Sequence, residues 1–225
     1  PLPSRKVKKP VPLTDCFIAP CQEGCPIHQD ITRYMQLAGE GKYEEALKVI
    51  LNKNPLPFIT GTICAHNCMS KCTRNFYEAS VDIRRTKLES AQGGIDAVMA
   101  ELKAPAVTSD CCSLFPCKRG AAVTVFEKEE KAGGVIRYVI PGFRISHEAI
   151  DHDVELVRAM GAELVNGKEI TSVDELKKEY DYVVLAVGAS EPGRLRLEAG
   201  ETMNALEFLA QFKATDGKVD LGKNV

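Results

Sequence analysis

Two stretches of the chain decide its fold, DCFIAPCQEGCPIHQDI at residues 15–31 and KNPLPFITGTICAHNCMSKC at residues 53–72. They contain six of the nine cysteines, arranged as two compact arrays. The arrays are Cys16-x4-Cys21-x3-Cys25, followed by Pro26, and Cys64-x3-Cys68-x3-Cys72. Gaps of this size let several thiolates converge on one metal centre, and a cysteine followed by proline at the end of an array recurs in ferredoxin-like sites. The arrays therefore predict iron–sulfur clusters.

The spacing alone leaves two other interpretations open. Zinc takes four ligands, and six cysteines exceed one such site without completing two all-cysteine sites. The cysteines could also be buried without binding a metal. His66 lies inside the second array and is a candidate ligand, although a place beside the ligands or at the surface is favoured.

The composition carries no nucleic-acid or membrane signature. The 225 residues allow one large domain or two small ones. A net charge of -2 argues against nucleic acid or an anionic membrane surface as the main partner. No apolar stretch approaches the roughly 18 residues of a membrane helix, and the first residues lack the apolar core of a signal peptide. We therefore expect a cytoplasmic protein, in which cysteines bind metal more often than they form disulfides.

The first part of the chain, residues 1–104, has the pattern of a helical domain. We predict helices over residues 31–37, 43–51 and about 81–102, with Asn54-Pro55 ending the second one. One face of that second helix collects its apolar residues, which are Ala46, Leu47, Ile50 and Leu51.

From residue 121 the pattern becomes that of a partial α/β domain, which extends to residue 225. Strands are predicted over 122–127, 162–165 and 182–187, the last of them apolar throughout, as in a parallel-sheet strand buried on both faces. Residues 105–120 form an irregular linker, in which Cys111, Cys112 and Cys117 are interpreted as incidental thiols.

Helices are expected between and after these strands. Ser146 is the predicted N-cap of a helix over residues 147–160. Ser172 and Glu175 form a predicted capping box for the next helix, and residues 202–212 form the last one. The residues expected on one side of the 147–160 helix are Ile150, Val154, Val157 and Gly161.

On these motifs, residues 13–102 and 121–225 resemble the family of the glutamate synthase small subunit. The N-terminal region of dihydropyrimidine dehydrogenase and selenate reductase-type subunits are similar in the same way. The resemblance implies a helical iron–sulfur domain followed by a Rossmann-like FAD domain, with one or two 4Fe–4S clusters. The implied ligands are Cys16, Cys21 and Cys72 for one cluster, and Cys25, Cys64 and Cys68 for the other.

The chain departs from that family pattern at two positions near the clusters. Leu13 stands where many relatives have a further cysteine. Lys87 lies near the position at which relatives often place a glutamine or glutamate ligand. A protonated lysine has no lone pair with which to bind iron.

The same resemblance suggests flavin contacts in the second half of the chain. The segments GGVIRYVIP at 133–141 and FRI at 143–145 resemble the FAD-domain signature of the family. Residues 108–120, TSDCCSLFPCKRG, stand where a G-x-G-x-x-G loop is expected. The implied contacts are Glu127 on the ribose, Arg144 on the pyrophosphate side, Gly134 in the signature, and Val135 and Ile170 in packing.

These features predict the electron-transfer part of an NADPH-dependent flavin and iron–sulfur oxidoreductase. Electrons would pass from FAD through the 4Fe–4S clusters to a partner oxidoreductase subunit or domain. The NADPH domain is expected only in a longer parent protein, so this fragment should not turn over NADPH alone, and no catalytic residue is assigned. The alternatives are a non-catalytic, metal-stabilised scaffold that binds no flavin and, less favoured, a thiol redox sensor.

Overall fold

The computed structural model describes residues 18–103, 121–188 and 202–219. The predicted linker and Cys16 lie outside these residues. Within them, no helix is both long enough and apolar enough to cross a membrane. The elements, in chain order, are α1 Pro20–Glu23, α2 Ile31–Gly39, α3 Tyr43–Leu51, α4 Pro57–Ile63, α5 Asn67–Ser70, a 3-10 helix Thr73–Phe76, α6 Ile83–Lys103, β1 Val123–Phe126, α7 Gly134–Tyr138, α8 His147–Ala159, β2 Ala162–Val165, α9 Val173–Glu179 and α10 Ala205–Ala214.

The helical first part is confirmed, and α6 is the helix on which α2, α3 and α4 pack. The four apolar residues predicted to share a face of α3 are all buried. Helix α3 crosses α6 at Gly94, where a Cβ atom would lie 2.6 Å from the carbonyl oxygen of Tyr43. Lys48 on α3 also forms an ion pair of 2.5 Å with Glu101 at the end of α6.

Residues 54–57, with the sequence Asn-Pro-Leu-Pro, form the turn that leads into α4. Asn54, which is 2% exposed, holds this turn together. Its side-chain amide donates to Thr60 Oγ1 at 2.6 Å, and its side-chain oxygen accepts from the Leu56 amide at 3.1 Å. Pro57 is the first residue of α4. Proline suits this position because the backbone N–H that it lacks would have no hydrogen-bond acceptor within the helix. Asn54 therefore sets where α4 begins.

The core joins the helical part to α8. One buried cluster combines Leu47 and Leu51 of α3 with Ala91 and Ile95 of α6 and with Leu156 of α8. The aromatic ring of Phe58 in that cluster stacks on His152 of α8, with 4.8 Å between the ring centroids. The packing of α8 against α4 and α6 thus places residues from both halves of the chain in one core.

Strands β1 and β2 pair in parallel, from Val123 opposite Ala162 to Phe126 opposite Val165. Helices α7 and α8 lie between them in the chain, so the segment is a βαβ unit. The α/β character expected of this half is confirmed. A sheet of two strands, all that the described residues contain, does not establish a Rossmann-like FAD domain.

Residues 182–187 do not form the predicted buried strand. They have no regular structure, and Tyr182 and Val187 are 90% and 87% exposed. An apolar strand is buried only when neighbouring strands or helices cover it. Within the described residues no strand pairs with this segment, so its apolar pattern has nothing to pack against.

The helix ends and faces of this half are partly as predicted. The Ser146 hydroxyl caps α8 by accepting from the Ala149 amide at 3.2 Å. Ser172 precedes α9 but makes no cap hydrogen bond, so the predicted capping box is wrong. The N-terminus of α9 instead has acidic residues in its first turn, whose negative charge is favourable beside the positive end of the helix dipole.

The buried face of α8 shares only Ile150 with the residues predicted to lie on one side of this helix. It holds Ile150, Asp153 and Leu156, whereas Val154 and Val157 are only partly buried and Gly161 is exposed. A carboxylate occupies this face because it accepts hydrogen bonds from α4.

Candidate metal centre

The two cysteine arrays meet because α1 packs against α5. Cys21 lies within α1, and Cys25 follows that helix directly. Cys68 lies within α5, between Cys64, which ends α4, and Cys72, which precedes the 3-10 helix. Each array is thus a series of short helical turns, which place thiols that are far apart in sequence on one side of the domain.

The backbone around Cys64 is held by hydrogen bonds from its neighbours. His66 has a left-handed conformation, with φ of 48°, and its amide donates to the Cys64 sulfur at 3.4 Å. Arg84 of α6 donates to the Cys64 carbonyl oxygen at 3.3 Å and lies 3.3 Å from Nδ1 of His66. His66 therefore contacts the backbone and an arginine at the edge of the thiol group.

All five cysteines that the structure describes in the arrays are free, and Cys68 is buried. Burial raises the pKa of the Cys68 thiol, the Lys87 ammonium lowers it, and negative charge on Cys25 and Cys64 raises it again. Lys87 itself is only 6% exposed. The net pKa of the Cys68 thiol is raised, and the buried Lys87 cation partly offsets this by favouring the thiolate, which is the metal-binding form of cysteine.

Cys21 has a second set of neighbours. Burial is the main reason that the pKa of its thiol is raised, and negative charge on Cys72 and then on Cys25 adds to the effect. Cys21 thus lies near Cys72, and Cys68 near Cys25 and Cys64. Cys25 is a neighbour of both Cys21 and Cys68, so the assignment of these thiols to two ligand sets stays a prediction.

Tyr34 on α2 places a polar group beside these thiols. Its side chain is 0% exposed, and its hydroxyl has no hydrogen-bond partner. Burial first, and then negative charge on four cysteines, raise the pKa of this phenol above its ordinary value. Those cysteines are, in decreasing order of effect, Cys68, Cys25, Cys21 and Cys64.

The donor set suits an iron–sulfur cluster. It consists of thiols that pack against apolar residues, with a buried hydroxyl in the same group and a buried ammonium near Cys68. Cluster sulfurs are hydrogen-bond acceptors, so a bound cluster would offer the Tyr34 hydroxyl the partner that it lacks. Among the described residues, which exclude Cys16, no three His, Cys, Asp or Glu side chains converge closely enough to hold a single metal ion.

Comparison with known proteins agrees with this geometry. Residues 13–91 match the family described as dihydropyrimidine dehydrogenase domain II, 4Fe–4S cluster. YgfK of Escherichia coli O157:H7, which its name classes with the oxidoreductases, is 37% identical over 240 residues, covering 98% of this chain. The predicted family resemblance is confirmed. The matched residues contain both cysteine arrays, helices α1 to α5 and the first part of α6.

Two further relatives are named as subunits. The beta subunit of an NADPH-Fe(3+) oxidoreductase from Geobacter sulfurreducens is 29% identical over 87% of this chain. The glutamate synthase [NADPH] small chain of Mycobacterium tuberculosis is also 29% identical over 87% of it. The chain spans 23% of the length of YgfK, 32% of the beta subunit and 44% of the small chain.

Of the five predicted flavin contacts, one lines a groove formed by the described residues. Glu127 follows β1 and accepts a hydrogen bond from the Glu129 amide at 3.0 Å. Arg144 lines an open groove of about 630 Å³ between α6 and α8. The other four predicted contacts, which do not line that groove, are Glu127, Gly134, Val135 and Ile170.

Sequence reasoning missed Tyr34 as a residue of the site. Its burial could have been predicted from spacing, because Tyr34 lies three residues after Ile31 and three before Leu37. All three residues share the apolar face of α2. Its proximity to the thiols had no sequence signal, since it depends on how α2 packs beside α1 and α5. Lys87 was noted only as a departure from the family pattern.

Proposed function

We propose that the chain is an electron-relay module in which the 4Fe–4S domain passes electrons between a flavin and a partner oxidoreductase subunit or domain. The observation that supports this most directly is the packing of α1 against α5, which brings the two cysteine arrays together. The proposed ligands are Cys16, Cys21, Cys25, Cys64, Cys68 and Cys72. When bound, the clusters would supply one-electron transfer.

The protein residues of the pocket would hold and tune this group. Burial of Cys68 limits access of water, and the charge of Lys87 offsets the negative charge of the thiolates. Arg84 holds the backbone of Cys64 by donating a hydrogen bond to the carbonyl oxygen of Cys64. A site arranged in this way would keep its geometry nearly unchanged during electron transfer, as a relay requires.

FAD and NADPH belong to the proposal for the longer protein. The proposed FAD contacts are Glu127, Gly134, Val135, Arg144 and Ile170, supported by the family resemblance and by the βαβ unit. NADPH is supported by the names of two relatives, and a partner subunit by the same names. A cytoplasmic location is proposed because free thiols of this kind persist in a reducing compartment.

A metal-stabilised scaffold without flavin is the second candidate. The exposure of residues 182–187 favours it, because a flavin domain would need this apolar segment in its sheet. In that case the metal would stabilise the helical domain, and its removal would unfold the domain without loss of a redox signal.

The test is an anaerobic preparation of the full chain with assays of iron, acid-labile sulfide and zinc. About four to eight irons per chain with matching sulfide, and a broad absorption shoulder near roughly 400 nm, are expected for one or two clusters. Flavin peaks would support FAD binding as well. Zinc without sulfide would contradict the relay and favour the scaffold.

A pair of variants makes the assay specific to the arrays. Cys68→Ser should lower the iron and sulfide content by about half or more, because it removes a ligand from one cluster. Cys112→Ser changes a thiol outside the arrays and should leave the content unchanged. Equal content in the two variants would count against the assignment of Cys68.

A further inference from the structure

Tyr34 is a fully buried phenol whose polar end has no partner. It lies one turn into α2, which begins after Asp30, whose side chain accepts a hydrogen bond from the Arg33 amide at 3.2 Å. The ring is 0% exposed, and the hydroxyl makes no hydrogen bond. A buried donor without an acceptor destabilises a fold, and a phenylalanine would fill the same space without that penalty.

The surroundings of Tyr34 restrict what can accept its hydrogen bond. The buried residues that pack together with Tyr34 are Ile31, Leu37, Ala46, Ile50, Cys68 and Ile83. Cys21 and Cys25 pack against this group from its partly buried edge. Among the apolar residues of this group, the side-chain atoms able to accept a hydrogen bond are sulfurs, namely the cysteine thiols and the weaker thioethers of Met35 and Met69.

We propose that the Tyr34 hydroxyl donates a hydrogen bond to a sulfur of the 4Fe–4S cluster that Cys25 and Cys68 ligate. The acceptor is a coordinating thiolate or a bridging sulfide of that cluster. This inference rests on the proposed function, because it requires the cluster. It assigns Tyr34 a positioning and tuning role, and the residue neither binds iron nor takes up an electron.

The expected consequence is a higher reduction potential for this cluster. Reduction adds negative charge, part of which resides on the sulfurs, so a donor stabilises the reduced cluster more than the oxidised one. The phenol acts only as a hydrogen-bond donor in both redox states. The hydrogen bond therefore changes in strength between the two redox states without a proton transfer.

The test compares Tyr34→Phe with Tyr43→Phe in the full chain, prepared anaerobically and assayed for iron and sulfide. Tyr43 lies on α3 and packs on Gly93 of α6, so its variant removes a phenol hydroxyl from a neighbouring helix. Midpoint potentials are measured by redox titration followed by electron paramagnetic resonance. Tyr34→Phe should lower the reduced-to-oxidised ratio at a fixed potential by about fivefold, equivalent to a midpoint about 40 mV more negative. Tyr43→Phe should match the unchanged chain.

An unchanged or higher midpoint in a fully loaded Tyr34→Phe variant would overturn the proposal and leave cluster binding intact. Absence of iron and sulfide from the unchanged chain would instead overturn the proposed function, and with it this inference. Should Tyr34→Phe fail to take up the cluster, Tyr34→3-fluorotyrosine replaces it. Fluorine makes the phenol a stronger donor, so the midpoint should rise, and no rise would overturn the proposal.

Discussion

Asp153 offers the sharpest test of how the two halves of the chain are joined. This carboxylate of α8 is 0% exposed and accepts hydrogen bonds from the amides of Phe58 at 3.0 Å and Ile59 at 2.7 Å. These amides lie in the first turn of α4, whose own N-cap residue, Leu56, has no side-chain acceptor. Asp153 thus caps α4 from a residue that is distant in sequence.

Burial raises the pKa of Asp153 from 3.8 to about 7, although the two amide hydrogen bonds act in the opposite direction. Between these two pH values the folded carboxyl keeps a proton that the unfolded chain has lost. The folded state then binds more protons than the unfolded state, so the free energy of unfolding falls as the pH rises through this window. From pH 5.5 to 8 the fall from this one group is about 2 kcal/mol.

The variant Asp153→Asn removes this titration. It also leaves one of the two α4 amides without an acceptor, which costs about 1–3 kcal/mol at every pH. We therefore expect the variant to be less stable than the unchanged chain at pH 5.5. At pH 8 the difference should be smaller by about 2 kcal/mol, because the unchanged chain then bears the cost of its buried charge.

The assay is urea unfolding followed by circular dichroism under anaerobic conditions, at both pH values, for both chains. The stability difference between the unchanged chain and the variant is measured at pH 5.5 and again at pH 8, and the two differences are compared. Titrating groups that both chains share cancel in this comparison. Glu148→Gln, on the same helix with a side chain that is 84% exposed, gives the effect of removing one solvated carboxylate. A difference that is the same at both pH values would refute the reasoning from burial.

Two further predictions concern the pocket and the core. Lys87→Met removes the buried ammonium that lowers the pKa of the Cys68 thiol, so the cluster should show a more negative midpoint or a lower iron content in the same titration and assay. An unchanged midpoint at full iron content would contradict this role for Lys87. Gly94→Ala places a methyl group 2.6 Å from the Tyr43 carbonyl oxygen and should destabilise the chain by about 1–3 kcal/mol in urea. Gly39→Ala, which meets no atom within 4 Å, is the control, and equal effects would argue against close packing of α3 on α6.

Local sequence signals predicted most of the helices and the two strands that the structure contains. Helix α3 and strand β2 have their predicted bounds, because periodic apolar residues and adjacent stop signals specify them over short distances. The segment 182–187 failed for the converse reason. An apolar run specifies a strand only if other strands adjoin it, and those neighbours are not encoded in the run itself.

The metal centre was predictable to the extent that its signal is local. Cysteine spacing identified the residues of the arrays as candidate ligands, because thiols a few residues apart can converge on a metal centre. The residues that surround the ligands come from α2 and α6, and no spacing rule connects Tyr34 or Lys87 to a cysteine. Asp153 was missed for a related reason, since an aspartate on an apolar face is explained only by the α4 amides that it meets.

Helix α4 shows why the cluster pocket depends on a distant part of the chain. Its first turn is held by Asp153, and its last residue is followed by Cys64. In between, a Cβ atom on Gly61 would lie 2.9 Å from the Cβ atom of Leu88, so α4 packs closely on α6 at a position where only glycine fits. Both ends and the middle of α4 are therefore constrained, and these contacts determine where Cys64 lies. The α8 segment thus helps to hold the helix that precedes Cys64, and a substitution at Asp153 should affect the retention of the proposed cluster as well as stability.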